Sequence, residues 1–300
     1  MPVLNHIVNR FIDRQGWLEP LADFVQKVVG GAYKLLGKPG RDLKTLANGT
    51  WLGHPLHPVL TDIPIGAWTL AVLFDIIYLF KGTHGWVSAA DVTIFVGLLG
   101  ALGAALTGYT DWSDTFGRER RVGITHGLLN TVAIVVYLGS LIIRVSGGSR
   151  GPAIVIALIG YGIVITAAFL GGDLVFGIGT GVNHHAWQEV PTKFTRVMLE
   201  GQLTDNTLVK AMAGDTPILL YKKGDTVCAI SETCSHAGGP LSEGEVDGNI
   251  VQCPWHGSRF DICSGLVKGG PATISQVRYE TRMQNGQIEV RRSEDTLQPN

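Results

Sequence analysis

Charge is scarce in this chain: Asp, Glu, Lys and Arg make up 16% of its 300 residues, against roughly 25% in an average soluble protein. The formal net charge is −1, so no basic excess exists to recruit nucleic acid, and no nucleic-acid partner is expected. Cysteine is sparse and unevenly placed. Its four occurrences, Cys228, Cys234, Cys253 and Cys263, all fall in the last quarter, which suggests a reducing compartment and a metal site. A secretory signal is also missing, because the stretch from Met1 to Arg14 carries charges and a broken apolar pattern.

What is present instead is apolar length. Residues 92–110, 122–143 and 151–172 contain no Asp, Glu, Lys or Arg, and residues 61–80 contain only Asp62 and Asp75. Each can cross a hydrocarbon layer of about 30 Å at about 1.5 Å per residue. The expected spans lie at about 61–80, 90–110, 122–144 and 152–172, within a membrane domain over 51–185. Asp75, inside the first span, should face the bundle interior, because an unpaired carboxylate in lipid is costly. Gly97, Gly100, Gly103, Ala104 and Gly108 form a small-residue stripe that lets helices approach closely.

Four spans put both ends of the chain on one side. That side carries Arg10, Arg14, Lys27, Lys34, Lys38, Arg41, Lys44, Arg118, Arg120 and Arg121; the other carries Lys81, Arg144 and Arg150. The bias predicts a multi-pass protein of the bacterial inner membrane with both termini cytoplasmic. Within residues 1–50, apolar side chains from Leu18 to Leu36 recur with a 3.6-residue period, as in an amphipathic helix lying on the membrane or covering the bundle's cytoplasmic end.

After His185 the pattern changes to short β-branched runs broken by Lys223-Gly224-Asp225, Asp247-Gly248 and Asn285-Gly286. These are hairpin signals, and they predict a small all-β domain over 190–292. The fold class is therefore multi-domain: an all-α four-helix transmembrane bundle, then an all-β domain.

The β domain carries Cys234-Ser235-His236 and Cys253-Pro254-Trp255-His256. Two thiolates and two imidazoles from two loops are the ligand set of a [2Fe–2S] cluster with one Cys₂ iron and one His₂ iron. Zinc also takes Cys₂His₂, although Cys-x-His is an uncommon zinc spacing. The runs C-S-H-A-G-G-P-L-S-E-G and C-P-W-H-G-S-R-F-D, with the later Gly270-Pro271-Ala272, resemble the Rieske iron–sulfur family over about the last hundred residues. The resemblance implies that Cys234 and Cys253 bind one iron and His236 and His256 the other, and that Pro271 belongs to a third loop closing over the cluster. Cys228 and Cys263 are read as small core residues.

The sequence departs from the respiratory and photosynthetic members of that family. Where those carry a disulfide between the two loops it has Gly239 and Trp255, and of their Ser and Tyr hydroxyl donors it keeps Ser258 but has Phe260 for the Tyr. It is more similar to Rieske ferredoxins and oxygenase Rieske domains, and a low reduction potential follows. The large catalytic domain of terminal oxygenases is not expected in the short stretch after His256.

A second constellation lies in the membrane domain. His54 and His57 precede the first span, His126 begins the third, and His184 and His185 follow the fourth, all on one side with Asp62, Asp111 and Asp114. The run H-P-L-H-P-V-L-T-D-I-P-I-G-A-W and the later G-Y-T-D-W resemble a family of small four-helix bacterial membrane proteins, a resemblance that brings no activity with it. A b-type haem with two axial histidines, a non-haem iron or mixed-metal site, a quinone pocket, and purely structural histidines at the helix entry all remain open; His6 and His84 are surface residues.

The reading that follows is a membrane-anchored electron-transfer protein. It would exchange electrons between a soluble donor or acceptor, such as a reductase or ferredoxin, and a second redox site in the bundle or a partner bound there. The alternatives are a membrane-bound oxygenase whose His-ligated iron or haem the cluster feeds, and a redox sensor whose bundle is only an anchor.

Overall fold

A computed structural model describes residues 4–294. The chain folds as two units, one built from residues up to Gly40 with Pro55–Thr180, the other from Arg41–His54 with Gly181 onward.

The first unit opens with helices α1 (Leu4–Asp13) and α2 (Leu18–Leu35), while α3 (Gly37–Asn48) leads into the second unit. Four long helices follow: α4 (Leu56–Lys81), α5 (His84–Trp112), α6 (Gly117–Val145) and α7 (Arg150–Gly172), the last continuing through a π-helical turn, Asp173–Ile178. All four are long and apolar enough to cross a membrane. They run past the expected spans because helical hydrogen bonding continues where the apolar stretch ends. Pairing is α4 with α5 and α6 with α7, and the small-residue stripe explains it. A side chain at Gly97 would collide with Trp68, one at Gly100 with Ile63, and one at Gly108 with His57. The apolar face of α2 packs Leu18, Ala22 and Val25 against Trp112, Val122 and Ile124. Its Glu19 pairs with Arg120 and Arg121 and its Asp23 with Arg120, so α2 covers this end of the helices.

Asp75 points inward, as expected, and is 2% exposed. Its partner is Arg144, which the sequence pattern places among the loop charges. The structure corrects that: Arg144 lies inside α6 and donates to Asp75, to Asp91 and to the Ser140 hydroxyl. Helix α6 simply runs further than its uncharged stretch, and a buried guanidinium is tolerated because the carboxylates neutralise it.

The two hairpins also repeat one another. His57, Trp68 and Asp75 on α4 correspond to His126, Tyr137 and Arg144 on α6, each pair 69 residues apart. Gly97, Ala104 and Gly108 on α5 correspond to Gly160, Ala167 and Gly171 on α7, each pair 63 residues apart. Equivalent residues meet one another: Asp75 pairs with Arg144, and Trp68 stacks on Tyr137 with ring centroids 4.0 Å apart. Since α4 and α6 run in the same direction, the two-fold relating the hairpins lies along the helices.

The second unit is all-β apart from its α3 segment. One antiparallel sheet has six strands in the order β1-β10-β9-β4-β3-β2 and a smaller one has four in the order β5-β6-β7-β8. They comprise β1 (Thr195–Leu199), β2 (Leu208–Ala213), β3 (Thr216–Lys223), β4 (Thr226–Ser231), β5 (Glu245–Asp247), β6 (Ile250–Gln252), β7 (Arg259–Asp261), β8 (Val267–Gly269), β9 (Arg278–Gln284) and β10 (Gln287–Arg292). The alternation of strand side chains explains the two cores. Strand β3 sends Leu219 and Tyr221 to a cluster with Val251, Phe260 and Ile262, and Ile218 and Leu220 to a second with Val277, Ile288 and Val290. The β9–β10 turn is Asn285-Gly286, both at positive φ, the primed geometry its sequence implies.

Two expectations are revised here. Residues 41–50 group with the second unit and not with the helices before them, and 51–54 group there and not with the membrane domain; Asn48 Nδ2 donates to Gly270 O (3.1 Å) and Thr50 Oγ1 to Ala272 O (3.2 Å). Cys228 and Cys263 do pack into the first of these cores, but not as separate residues. They form a disulfide, Cα–Cα 4.7 Å, that ties β4 of the large sheet to the segment after β7 of the small one.

Candidate metal centre

Two loops of the second unit have the same backbone construction. In the loop after β4, Cys234 N–H donates to Gly239 O (2.8 Å) and Gly238 N–H returns to Cys234 O (2.9 Å). In the loop between β6 and β7, Cys253 N–H donates to Ser258 O (2.8 Å) and Gly257 N–H returns to Cys253 O (3.1 Å). The fifth residue of each loop, Gly238 and Gly257, has φ of 80° and 74°, a left-handed turn that a side chain would strain. Cys-x-His and Cys-x-x-His thus become two equivalent turns, each opening on its cysteine.

The turns face each other. Cys234 and Cys253 are both buried and unpaired as disulfides. The His236 and His256 rings lie edge to face, centroids 4.8 Å apart, and are partly exposed. A Cβ at Gly239 would lie 2.8 Å from Cys253 Sγ and 3.0 Å from the Trp255 ring, so the indole occupies the space where the resemblance puts a second disulfide. The third loop is tied to both turns: Ser235 Oγ donates to Ile274 O (2.7 Å), and Ala272 N–H donates to Ser258 Oγ (3.1 Å). Asn48 and Thr50 brace that loop on either side of Pro271. No signal in the sequence near α3 marks them for that role.

The electrostatics suit metal binding. Burial, reinforced by the neighbouring His256 and His184 rings, pulls His236 down to about 3, and burial lowers His256 as well. Both imidazoles are therefore neutral, the form that ligates. Within the cysteine pair the Cys234 thiol donates to Cys253, and with the Trp255 and His256 N–H groups this overcomes burial and brings Cys253 down to about 6. The same bond and its own burial push Cys234 upward. His236 Nδ1 is buried without a hydrogen-bond partner among the described residues. An orphaned ring nitrogen, a second imidazole and two buried thiols, one of them already inclined to ionise, fit a group that takes two thiolates and two imidazoles.

Residues 193–280 match the Rieske [2Fe-2S] domain model. The chain belongs to the Rieske [2Fe–2S] family. Ferredoxin CarAc of Metapseudomonas resinovorans is 35% identical over 77 residues, which span 26% of this chain and 72% of that protein. The anthranilate 1,2-dioxygenase ferredoxin subunit of Burkholderia cepacia is 36% identical over 89 residues, 30% of this chain and 82% of the relative. Among solved structures, the complex of reduced oxygenase and oxidized ferredoxin in carbazole 1,9a-dioxygenase matches at 29% identity and TM-score 0.31, covering 33% of this chain and 94% of that one. Residues 53–184 match a different model, described as a predicted membrane protein (DUF2231).

The histidines singled out upstream do not gather at one place. His57 and His126 come together in the helical unit, ring centroids 6.1 Å apart, and Asp111 lies in the last turn of α5. His54, His184 and His185 belong to the unit that contains the Rieske domain. There His184 N–H meets Ser235 O at 3.4 Å, and the buried His185 ring donates from Nε2 to Thr233 O at 2.6 Å. Burial, with the charge of His184 adding to it, holds His185 below the usual histidine range. Both residues thus brace the first Rieske loop. Among the described residues no group of three or more His, Cys, Asp or Glu forms around His57 and His126.

Proposed function

We propose that this chain is a membrane-anchored, low-potential electron-transfer protein in which Cys234 and Cys253 hold one iron of a [2Fe–2S] cluster and His236 and His256 the other. The observation that carries this reading is the pair of equivalent turns presenting two buried thiols and two neutral imidazoles to each other. When bound, such a cluster supplies a one-electron couple. The protein's own part is to keep the thiols buried, to orient the imidazoles, and to leave the histidine side partly exposed, where a soluble reductase or ferredoxin could approach. The four apolar helices supply the anchor and room for a second redox site, and the loop charges favour a cytoplasmic Rieske domain, more so with Arg144 removed from the opposite side's tally.

The Cys228–Cys263 disulfide favours a second reading in which the same domain faces an oxidising compartment.

Electron paramagnetic resonance on the dithionite-reduced full chain tests the ligand assignment. His236→Ala and His256→Ala should each abolish the Rieske signal while the protein still reaches the membrane, since the apolar helices lie outside that domain. A wild-type signal in either variant would remove that residue from the ligand set.

A further inference from the structure

Side chains on a two-fold axis meet their own equivalents, and the helical unit has three such levels. At two of them the partners touch: Asp75 with Arg144, and Trp68 with Tyr137, all four buried. At the third, His57 in the first turn of α4 and His126 further along α6 stop short of contact, edge to face at 90° and only half-buried.

Each ring is held in the same way. His57 Nδ1 lies 2.8 Å from Ala104 O on α5, and His126 Nδ1 lies 2.8 Å from Ala167 O on α7. A carbonyl can only accept, so Nδ1 carries the proton in both rings and Nε2 keeps its lone pair, turned away from the helix that holds Nδ1. Asn130 confirms this for His126, its amide donating to Nε2 at 3.2 Å. One turn beyond each carbonyl stands a glycine, where an added Cβ would lie 2.7 Å from the His57 ring and 3.1 Å from that of His126. The seats are cut to the imidazoles.

A ring fixed by an Nδ1–H bond to a backbone carbonyl, with Nε2 unprotonated, is how metal-ligating histidines are usually prepared, and at His126 a metal would take the place of the Asn130 amide on Nε2. A metal bound at about 2.0–2.1 Å to each of two facing Nε2 atoms sets the ring centroids about 6 Å apart, and here they are 6.1 Å apart. The donor count then selects the metal. A zinc site takes three or four protein ligands, and no third His, Cys, Asp or Glu joins this pair among the described residues. Haem iron brings four equatorial nitrogens and asks the protein for axial ligands alone. We propose that His57 and His126 are the two axial ligands of one b-type haem, a step that rests on reading the helical unit as a second redox site.

The test is spectroscopy of the full chain, purified in detergent and titrated with hemin. About one low-spin haem per chain should bind saturably. His57→Ala and His126→Ala should each cut bound haem to below about a tenth of wild type, with the cluster's paramagnetic signal unchanged. His57→Met, which keeps an axial donor, should retain haem at a raised reduction potential, separating lost ligation from a failed fold. No Soret shift on hemin addition, or full haem content in both Ala variants, would overturn the assignment. So would a bound metal other than haem iron that the variants release. Absence of haem with the cluster signal intact would count against this site alone; haem present without the cluster signal would support it while sinking the cluster ligands.

Discussion

Asp75 and Arg144, 69 residues apart and at equivalent positions of the two hairpins, form a buried bidentate ion pair, with Arg144 Nη1 2.9 Å from Asp75 Oδ1. Removing one partner strands the other charge, which costs about 3–5 kcal/mol in a buried pair. Asp75→Ala should fall at the low end of that range, because Asp91 remains 3.2 Å from Arg144. The double exchange Asp75→Arg with Arg144→Asp should recover part of the loss, since the two positions are equivalent. Thermal unfolding in detergent measures both. An exchange no better than the single variant would argue against the internal two-fold.

The midpoint potential should lie in the lower half of the Rieske range of about −150 to +300 mV. Hydrogen bonds that stabilise the reduced cluster raise the potential, and this site is short of them. Phe260 is fully buried and supplies no hydroxyl, which leaves Ser258, whose oxygen accepts the Ala272 N–H, with its own O–H as the one hydroxyl donor of that pair. Redox titration of the full chain reads the value, and a midpoint above about +200 mV would contradict the argument. Phe260→Tyr should raise it; an unchanged midpoint would show that the missing hydroxyl does not matter here.

The disulfide between Cys228 and Cys263 closes a loop with a sequence separation of 35, worth about 4 kcal/mol in the chain-entropy model. Cys263→Ser should lower stability by about 2–4 kcal/mol while leaving the cluster signal intact, because neither cysteine belongs to the two turns that open on Cys234 and Cys253. Thiol labelling in intact cells, together with a reporter fused after Asn300, decides the compartment. A cytoplasmic reporter with free thiols fits the loop charges, and a periplasmic one with the bond formed overturns them.

His185 provides a pH test. Its folded pKa is lowered, so below the unfolded value of about 6.5 the unfolded chain takes up a proton that the folded chain refuses. Its contribution is therefore fully present above that pH and is lost as pH falls toward the folded pKa. His185→Gln keeps a donor for Thr233 O and cannot titrate. Urea unfolding should show a shallower loss of stability between about pH 6.5 and 5 in the variant than in wild type. Equal slopes would remove His185 from the account.

The sequence by itself was enough for whatever depends on local pattern. Apolar length marked the four helices, Asn-Gly and Gly-Asp marked the hairpins, and two short Cys/His motifs marked a Rieske domain, because ligand spacing within a turn is a property of the turn. The inward face of Asp75 was legible too, since lipid forbids the alternative. Pairings across the chain were not. Asn48 is one polar residue among many until the fold brings Gly270 O to it, 222 positions away, and Cys228 and Cys263 have no spacing that announces a bond. The repeat was written in the sequence as His57/His126, Trp68/Tyr137 and Asp75/Arg144, but the members of each pair differ in chemistry at two levels of three. Only the packing of α4 against α5 and of α6 against α7 shows that they are equivalent. Of five histidines that share one side of the spans, tertiary structure brought His57 and His126 together and gave His184 and His185 to the Rieske unit, because a span fixes depth and side, whereas backbone carbonyls such as Ala104 and Thr233 fix where each ring goes.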